Sequence, residues 1–367
     1  MTGPIVIAAG GTGGHFFPAE ALAAALLERG LRIALMTDAR SGALNSTVFA
    51  GREQYILPGA GIAGRGLARA GMAVLSLTAG VARARGILSR IAPAAIVGFG
   101  GYPSVPPVLA ARLSRARPPV ILHEQNAVLG RANRFLSRHA AALALSFART
   151  SRVPSGLRQE VTGNPVRPAV TALRFAAYAA PAGGPIHLLI LGGSLGARVF
   201  SDVVPAALAR LPDGLRARLS VTQQCRAEDL DRVRAAYAES GIAADLAPFF
   251  RDVAGLLRGA HLTIARAGAS TVAELAIAGR PALLVPLPGA IDDHQTANAT
   301  ALAEAGGAWI LPQQIFTSET LAERLTALLP DSAALAHAAT GARSVAQPDA
   351  AAALADLVAR IVAEPRR

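Results

Sequence analysis

Histidine and carboxylate side chains follow apolar runs at two places in the first half of the chain. His15 comes directly after the glycine-rich segment 10–14, and His123 and Glu124 end a second apolar run. An imidazole titrates near neutral pH, so His15 is a candidate general base, with Glu124 as a substitute or an orienting group. A histidine that only caps or packs the turn is the alternative. A metal site from these three residues is also open, although their spacing matches no ligand motif.

Two glycine-rich turns stand at matching places in the two halves. Segments 10–14 and 192–197 each follow an apolar run and precede a helical pattern. A helix start has unpaired N–H groups and a positive dipole end, so it attracts phosphate. Two such turns indicate an enzyme that moves a group between two phosphate-bearing molecules. A nicotinamide oxidoreductase is an alternative, because Asp38 could bind a ribose, but Phe16 occupies the place of that motif's third glycine.

Two more polar clusters follow apolar runs in the second half. Ser270 and Thr271 lie at a predicted helix start, with Glu274 one turn later. Plain helix capping is one explanation; binding of a ribose diol by Glu274 and of phosphate by the turn is the other. Gln295 lies in the first turn of another predicted helix, where it could read sugar hydroxyls.

Apolar runs of strand length alternate with helical patterns along the whole chain. The predicted strands are 5–9, 31–37, 94–98, 119–123, 141–145, 186–191, 217–222, 261–265 and 281–285. The predicted helices are 18–29, 104–115, 130–138, 197–210, 226–239, 269–278, 294–305, 318–329 and 350–362. This alternation predicts an α/β fold with parallel sheets covered on both faces and ligands at the carboxyl ends of the strands.

The length of 367 residues favours two domains. Segment 163–168 holds a glycine and two prolines, which interrupt any helix. We therefore expect an N-terminal domain over 1–164 and a C-terminal domain over 165–345. A final segment, 346–367, contains the last predicted helix.

Charge is distributed unequally between the halves. The formal net charge of +12 lies entirely within residues 1–165, and all 36 basic residues are arginine. Such a surface suits nucleic acid, anionic lipid or an anionic substrate. Segment 65–90 mixes apolar residues with arginines, which predicts an amphipathic helix at a membrane surface or, alternatively, a core-facing helix with solvated arginines. The single cysteine excludes an internal disulfide, and we expect no signal peptide and no spanning helix.

Seven motifs, in their order and spacing, resemble the MurG family of peptidoglycan-synthesis glycosyltransferases. They are segments 10–15, 100–102, 123–126, 163–167, 192–197, 268–274 and 292–295. The resemblance spans nearly the whole chain. It implies the GT-B fold, in which two Rossmann-like domains face each other across a cleft, and it suggests that the last helix crosses back to the first domain.

The resemblance also implies an activity. Family members transfer N-acetylglucosamine from UDP-N-acetylglucosamine to the C4 hydroxyl of the muramyl sugar of lipid I, an undecaprenyl-pyrophosphoryl-muramyl-pentapeptide, and so form lipid II by an inverting single displacement. The first domain would then bind the acceptor at the cytoplasmic face of the bacterial inner membrane, as a peripheral protein on an anionic surface. No nucleic-acid partner, cofactor or metal is implied.

Site residues carry over by motif match. The first-domain residues that would contact ligands are Thr12, Gly13, Gly14 and Asn126, with His15 beside the acceptor. The residues that would hold UDP-N-acetylglucosamine are Arg167, Ser194, Phe250, Ala269, Ser270, Thr271, Glu274 and Gln295. Leu195 departs from the family, which commonly has glutamine there, so its role is in doubt while the phosphate-binding N–H groups remain.

Two other functions compete with this one. A GT-B transferase could act on another lipid or small-molecule acceptor, with a similar donor half. A non-catalytic nucleotide-sugar-binding scaffold at the membrane would bind UDP without turnover. An acceptor assay distinguishes all three.

Overall fold

The computed structural model describes residues 3–10, 13–39, 46–58, 67–193 and 196–365. The chain forms two compact units. Residues 1–167 and 349–367 make up the first, and residues 168–348 make up the second. The C-terminal segment thus returns to the unit in which the chain began.

The first unit is built on a parallel sheet of seven described strands in the order β3-β2-β1-β4-β5-β6-β7. These strands are β1 Ile5–Ala8, β2 Ile33–Thr37, β3 Gln54–Ile56, β4 Ala95–Gly98, β5 Val120–Glu124, β6 Ala142–Leu145 and β7 Gln159–Val161. The chain runs outward from β1 to one edge and then from β4 to the other. The point where the direction reverses lies between β1 and β4, which is where open parallel sheets bind ligands.

Helices cover both faces of this sheet. They are α1 Gly13–Glu28, α2 Leu67–Ile91, α3 Gly101–Leu113, α4 Arg131–Leu136 and, from the end of the chain, the helix Ala350–Ala363. Side chains alternate along a strand, so Ile5 and Ile7 join the core under α1, whereas Val6 and Ala8 join the core under α2 and α3. Every side chain of β1 is buried, which explains its unbroken apolar run.

The helix Ala350–Ala363 belongs to the first unit through apolar and ionic contacts. Leu354 and Leu357 lie in the same core cluster as Ile5 and Ile7. On the surface, Arg29 of α1 lies 2.8 Å from a carboxylate oxygen of Asp356. The buried apolar stripe supplies most of the attachment, because an exposed ion pair contributes about 1 kcal/mol or less.

The second unit has a parallel sheet of six described strands in the order β10-β9-β8-β11-β12-β13. These are β8 Ile186–Leu191, β9 Leu219–Gln224, β10 Ala243–Ala247, β11 Leu262–Ala265, β12 Ala282–Leu284 and β13 Ala308–Ile310. Its helices are α5 Pro168–Thr171, α6 Arg198–Ala209, α7 Asp213–Arg216, α8 Leu230–Glu239, α9 Val253–Gly259, α10 Ala269–Ala278, α11 His294–Glu304, α12 Ser318–Leu328 and α13 Ser332–Ser344. In chain order, the helix Ala350–Ala363 of the first unit is α14. The predicted α/β class with parallel sheets is confirmed for both units.

Sequence reasoning missed four short strands and four helices. Strands β3, β7, β10 and β13 all lie at sheet edges. Strands β3, β7 and β10 include polar residues, and β3 and β7 have mostly exposed side chains, as is common at sheet edges. Strand β13 is apolar but only three residues long. The helices missed were α9, α13 and the four-residue helices α5 and α7.

Two helices begin earlier than predicted. The starts expected at residues 18 and 104 lie at Gly13 and Gly101. Pro18 lies inside α1, after a first turn that begins with two glycines. This places His15 inside the first turn of α1.

Helix α2 confirms a helix over most of segment 65–90. Its Met72, Val74 and Leu75 are 60%, 60% and 69% exposed, while Ile87 and Leu88 are buried under the sheet. The helix therefore has a core-facing end and an apolar surface near its start. Among the described helices, none combines the length and the apolar character that crossing a membrane requires.

Candidate active site

The first-unit candidates gather at the carboxyl ends of β1, β4 and β5. Helix α1 begins five residues after β1 ends, and α3 begins three residues after β4 ends. The Ser104 hydroxyl lies 2.9 Å from the carbonyl oxygens of both Ala8 and Gly100, which ties these neighbouring turns together. Neither α1 nor α3 has an acidic residue in its first turn, so both helix starts suit an anion.

The protonation pattern of His15 follows from its neighbours. Its Nδ1 lies 2.8 Å from the carbonyl oxygen of Phe99 and 3.0 Å from Oε1 of Gln125. A carbonyl oxygen only accepts, so Nδ1 must carry the proton and donate it. In the neutral ring, Nε2 then holds the lone pair that a general base needs. Gly101 lies beside this nitrogen, since a Cβ there would be 3.7 Å from Nε2.

His123 and Gln125 are buried behind His15. His123 is 0% and Gln125 2% exposed. Nε2 of His123 lies 3.0 Å from the carbonyl oxygen of Gly163, and Nε2 of Gln125 lies 3.0 Å from Nδ1 of His123. Burial lowers the pKa of His123 to about 4, because the apolar surroundings disfavour the imidazolium. His123 is therefore neutral at physiological pH, with a donor at one ring nitrogen and an acceptor at the other.

Glu124 uses its carboxylate to order the loop after β5. One oxygen accepts from the backbone N and the Nδ2 of Asn126, at 3.0 and 3.1 Å. The other accepts from the backbone N of Gly130 and from Nδ2 of Asn133, both at 2.9 Å. With four donors on a side chain that is 2% exposed, this geometry favours the orienting role over the role of base. It orients Asn126 rather than His15.

The remaining first-unit candidates surround the start of α1. Gly13 and Gly14 are its first two residues. Phe17 packs across Gly13, where a Cβ would lie 2.7 Å from its ring, and the guanidinium of Arg167 lies 5.2 Å from the centre of the same ring. Arg167 is the last residue of the first unit's main segment, whereas the other proposed donor-binding residues belong to the second unit. Thr12 lies outside the described residues.

The second-unit turn after β8 is closed by a residue that sequence reasoning missed. Gln224, at the carboxyl end of β9, accepts from Gly192 N at 3.1 Å and donates to Gly193 O at 3.0 Å. Gly192 has no room for a side chain, since a Cβ would lie 2.4 Å from Ala197 N. The position of Gln224, a polar residue at the end of a strand, is the sequence feature that could have indicated this role. Ser194 and Leu195 lie outside the described residues.

The α10 turn is not held by a side-chain cap. The N-cap residue of α10 is Gly268, which has no side chain to accept a hydrogen bond from the helix N–H groups. Ala269, Ser270 and Thr271 form the first turn of the helix. The capping explanation for Ser270 is therefore wrong, because the N-cap lies two residues earlier. The Oγ of Ser270 is buried and has no hydrogen-bond partner among the described residues. This hydroxyl and the first-turn N–H groups suit a phosphate, and Glu274 follows one turn later.

Gln295 lies near this turn along the carboxyl edge of the sheet. Its Oε1 accepts from Leu287 N at 3.0 Å, which orients the amide so that its NH2 group points the other way. Asn298 of the same helix donates to the carbonyl of Ala267 at 3.1 Å and links α11 to the α10 turn. Phe250 follows β10 at the same edge. The second-unit candidates thus share one edge of one sheet.

Within the described ranges, no group of three histidine, cysteine, aspartate or glutamate side chains is placed to hold a metal ion. The metal alternative for His15, His123 and Glu124 therefore finds no support. His123 and Glu124 are occupied by other partners, as described above.

Family models match both halves of the chain. The glycosyltransferase family 28 N-terminal domain matches residues 5–145, and the family 28 C-terminal domain matches residues 187–354.

Curated relatives match nearly the whole chain. A protein of Granulibacter bethesdensis is 65% identical over 97% of this chain and 93% of its own. One of Paramagnetospirillum magneticum is 56% identical over 98% and 96%. Both are named UDP-N-acetylglucosamine–N-acetylmuramyl-(pentapeptide) pyrophosphoryl-undecaprenol N-acetylglucosamine transferase. A crystal structure of MurG from Acinetobacter baumannii is similar to this chain with a TM-score of 0.78 and 32% identity, covering 97% of this chain and 99% of that one.

Proposed function

The chain belongs to the family of UDP-N-acetylglucosamine–N-acetylmuramyl-(pentapeptide) pyrophosphoryl-undecaprenol N-acetylglucosamine transferases, and on that premise we propose what it does. It transfers N-acetylglucosamine from UDP-N-acetylglucosamine to the C4 hydroxyl of the muramyl sugar of lipid I and so forms lipid II. The observation that carries this proposal is the 65% identity over 97% of the chain with a relative of that name. The described site residues supply the groups that such a transfer needs.

The first unit holds the acceptor. The start of α1, with Gly13 and Gly14, faces the acceptor's pyrophosphate with N–H groups and the positive end of the helix dipole. Asn126, ordered by Glu124, contacts the acceptor from the loop after β5. His15 contacts the C4 hydroxyl through Nε2. Thr12 is proposed for the same turn on its motif alone.

The second unit holds the donor. The α10 turn, Ala269 to Thr271, binds the diphosphate, and Glu274 binds the ribose diol. Gln295 offers an NH2 donor to the sugar hydroxyls, supported by the bond that fixes its oxygen. Phe250 meets the uracil through its backbone. Ser194 and, from the first unit, Arg167 are proposed to assist the diphosphate on their motifs alone.

The reaction is a single inverting displacement. The acceptor's C4 oxygen attacks C1 of N-acetylglucosamine, the bond from C1 to the phosphate oxygen breaks, and UDP leaves with the bonding electrons. His15 Nε2 takes the hydroxyl proton. The helix start at α10 and the Ser270 hydroxyl stabilise the charge that develops on UDP, which is where preorganised donors lower a barrier most.

The protein acts at the cytoplasmic face of the cell membrane, as a peripheral protein on anionic lipid and without a nucleic-acid partner. The exposed Met72, Val74 and Leu75 of α2 support this proposal, as does the positive charge of residues 1–165. Each arginine near an anionic leaflet contributes about 1 kcal/mol, and salt weakens the contribution.

Incubation with labelled UDP-N-acetylglucosamine and a lipid I analogue tests the function. We expect labelled lipid II, no product with muramyl-free lipids, and continued turnover in excess chelator. Transfer only to another acceptor would support a different GT-B activity. Donor binding without any transfer would support a scaffold and contradict the proposal.

The role of His15 is tested separately. We expect His15→Ala to lower kcat roughly 10²–10⁴-fold, the usual contribution of a positioned base. His187→Ala, which removes an exposed histidine of the second unit, serves as the matched control. Near-wild-type turnover of His15→Ala would refute the role of His15 as the general base.

A further inference from the structure

A continuous chain of hydrogen bonds links two backbone carbonyls through three side chains. It runs from the carbonyl of Gly163 to His123, then to Gln125, then to His15 and the carbonyl of Phe99. Each neighbouring pair lies at 2.8–3.0 Å. Carbonyl oxygens accept only, so the two ends of the chain have fixed polarity.

The polarity of the two carbonyl ends determines which atom carries the proton in every hydrogen bond between them. The Gly163 carbonyl requires a proton on Nε2 of His123, which leaves Nδ1 of the neutral ring as an acceptor. Gln125 must then turn its NH2 toward His123 and its Oε1 toward His15. Oε1 accepts from Nδ1 of His15, in agreement with the Phe99 carbonyl at the other end. A flipped Gln125 would oppose donor to donor at one contact and acceptor to acceptor at the other.

We propose that Gln125 and His123 are positioning residues for the transfer, because they orient the His15 ring and keep its proton on Nδ1. This rests on the proposed function, in which Nε2 of His15 takes the acceptor proton. When His15 becomes an imidazolium, Oε1 of Gln125 and the Phe99 carbonyl both stabilise its Nδ1–H. Burial of His123 and Gln125 keeps water from competing for these bonds.

Two further observations support this role. Burial lowers the pKa of His123 to about 4, so its Nδ1 is an acceptor at neutral pH. The His123 ring also packs against the ring of Phe99, with centroids 5.2 Å apart. The residue that orients Gln125 thus also supports the residue whose carbonyl accepts from His15.

The direct test is to determine the tautomer of His15 by NMR. The full chain is labelled with 15N at histidine, and the chemical shifts of the ring nitrogens report which of them carries the proton. The signals of His15 are assigned by their loss in the variant His15→Gln. At a pH where the ring is neutral, we expect a protonated Nδ1 and an unprotonated Nε2. A protonated Nε2 in the neutral ring would overturn the proposal. This result does not depend on turnover, so it separates failure of the hydrogen-bond chain from failure of the proposed function.

Kinetics then test whether the chain matters to the reaction. Gln125→Met keeps the length of the side chain but removes its acceptor, and we expect kcat to fall about tenfold with the donor KM unchanged. Gln125→Glu restores an acceptor for Nδ1–H but loses the donor to Nδ1 of His123, so it should recover only part of the loss. The control Gln54→Met makes the same change on the edge strand β3. Wild-type kcat in Gln125→Met would overturn the proposal.

Discussion

Acid should destabilise the first unit through one buried histidine. His123 is 0% exposed, and burial lowers its pKa from 6.5 to about 4. The Gly163 carbonyl and the Glu124 carboxylate act in the opposite direction, and His15 adds to the lowering, but desolvation is the largest cause. Protonation would also place a hydrogen on Nδ1, where Gln125 already donates.

The sign follows from proton binding in the two states. The unfolded chain binds a proton at this residue near pH 6.5, whereas the folded chain does not until about pH 4. Between these values the unfolded state holds more protons, so the free energy of unfolding decreases as the pH falls. Moving from about pH 7.5 to about pH 5 should cost about 2 kcal/mol, or about 30-fold in the unfolding equilibrium.

Hydrogen exchange of the β5 backbone, corrected for the intrinsic effect of pH, measures this loss. Tryptophan fluorescence would not, because the single tryptophan, Trp309, belongs to the second unit. His123→Gln removes the titration and retains a donor toward Gly163, so its protection should fall about 30-fold less than that of the wild type over the same range. His187→Gln should behave as the wild type does. Equal losses in His123→Gln and the wild type would refute the reasoning.

Three further perturbations test other parts of the molecule. Gln295→Ala and Glu274→Ala should each weaken UDP-N-acetylglucosamine binding about tenfold in calorimetry, because each removes a polar contact to the donor. The control Gln314→Ala, at an exposed position, should leave the affinity unchanged, and unchanged affinity in Gln295→Ala and Glu274→Ala would count against the donor site. Arg280→Met should lower the free energy of unfolding of the second unit by about 2–4 kcal/mol, since it leaves buried carbonyls at the end of α9 without a donor. Denaturant unfolding followed by tryptophan fluorescence measures this free energy, and a decrease of less than about 1 kcal/mol would contradict the prediction. Leu75→Ser should weaken binding to anionic vesicles about tenfold, and salt should weaken it further; equal binding by variant and wild type in a sedimentation assay would argue against contact through α2.

Much of the fold could be read from local patterns. The strands predicted at 5–9 and 186–191 and the helix predicted at 269–278 are present, because buried parallel strands need unbroken apolar runs and the helix shows its own periodicity. The edge strands were not predicted, since half-solvated strands such as β3 have no unbroken apolar run. Two helix starts were also misplaced, because α1 and α3 begin at glycines, five and three residues before the predicted starts.

The site was predictable in composition but not in contacts. His15, Glu124 and Asn126 follow or end strands, and this placement marked them as candidates. Nothing local indicated that the Glu124 carboxylate meets four donors, or that Ser270 has none of the bonds of a helix cap. Those outcomes depend on the path of the loops that follow the strands.

The sequence by itself determined the two glycine turns, the alternation of strands and helices and the family, because each depends on residues close together in the chain or on motifs in a fixed order. Only the tertiary structure decided which nitrogen of His15 carries the proton. His15 and Gln125 are 110 positions apart, and they meet because parallel pairing brings the ends of β1, β4 and β5 to one edge. A tautomer depends on which donor or acceptor lies within about 3 Å, and folding alone brings such partners together.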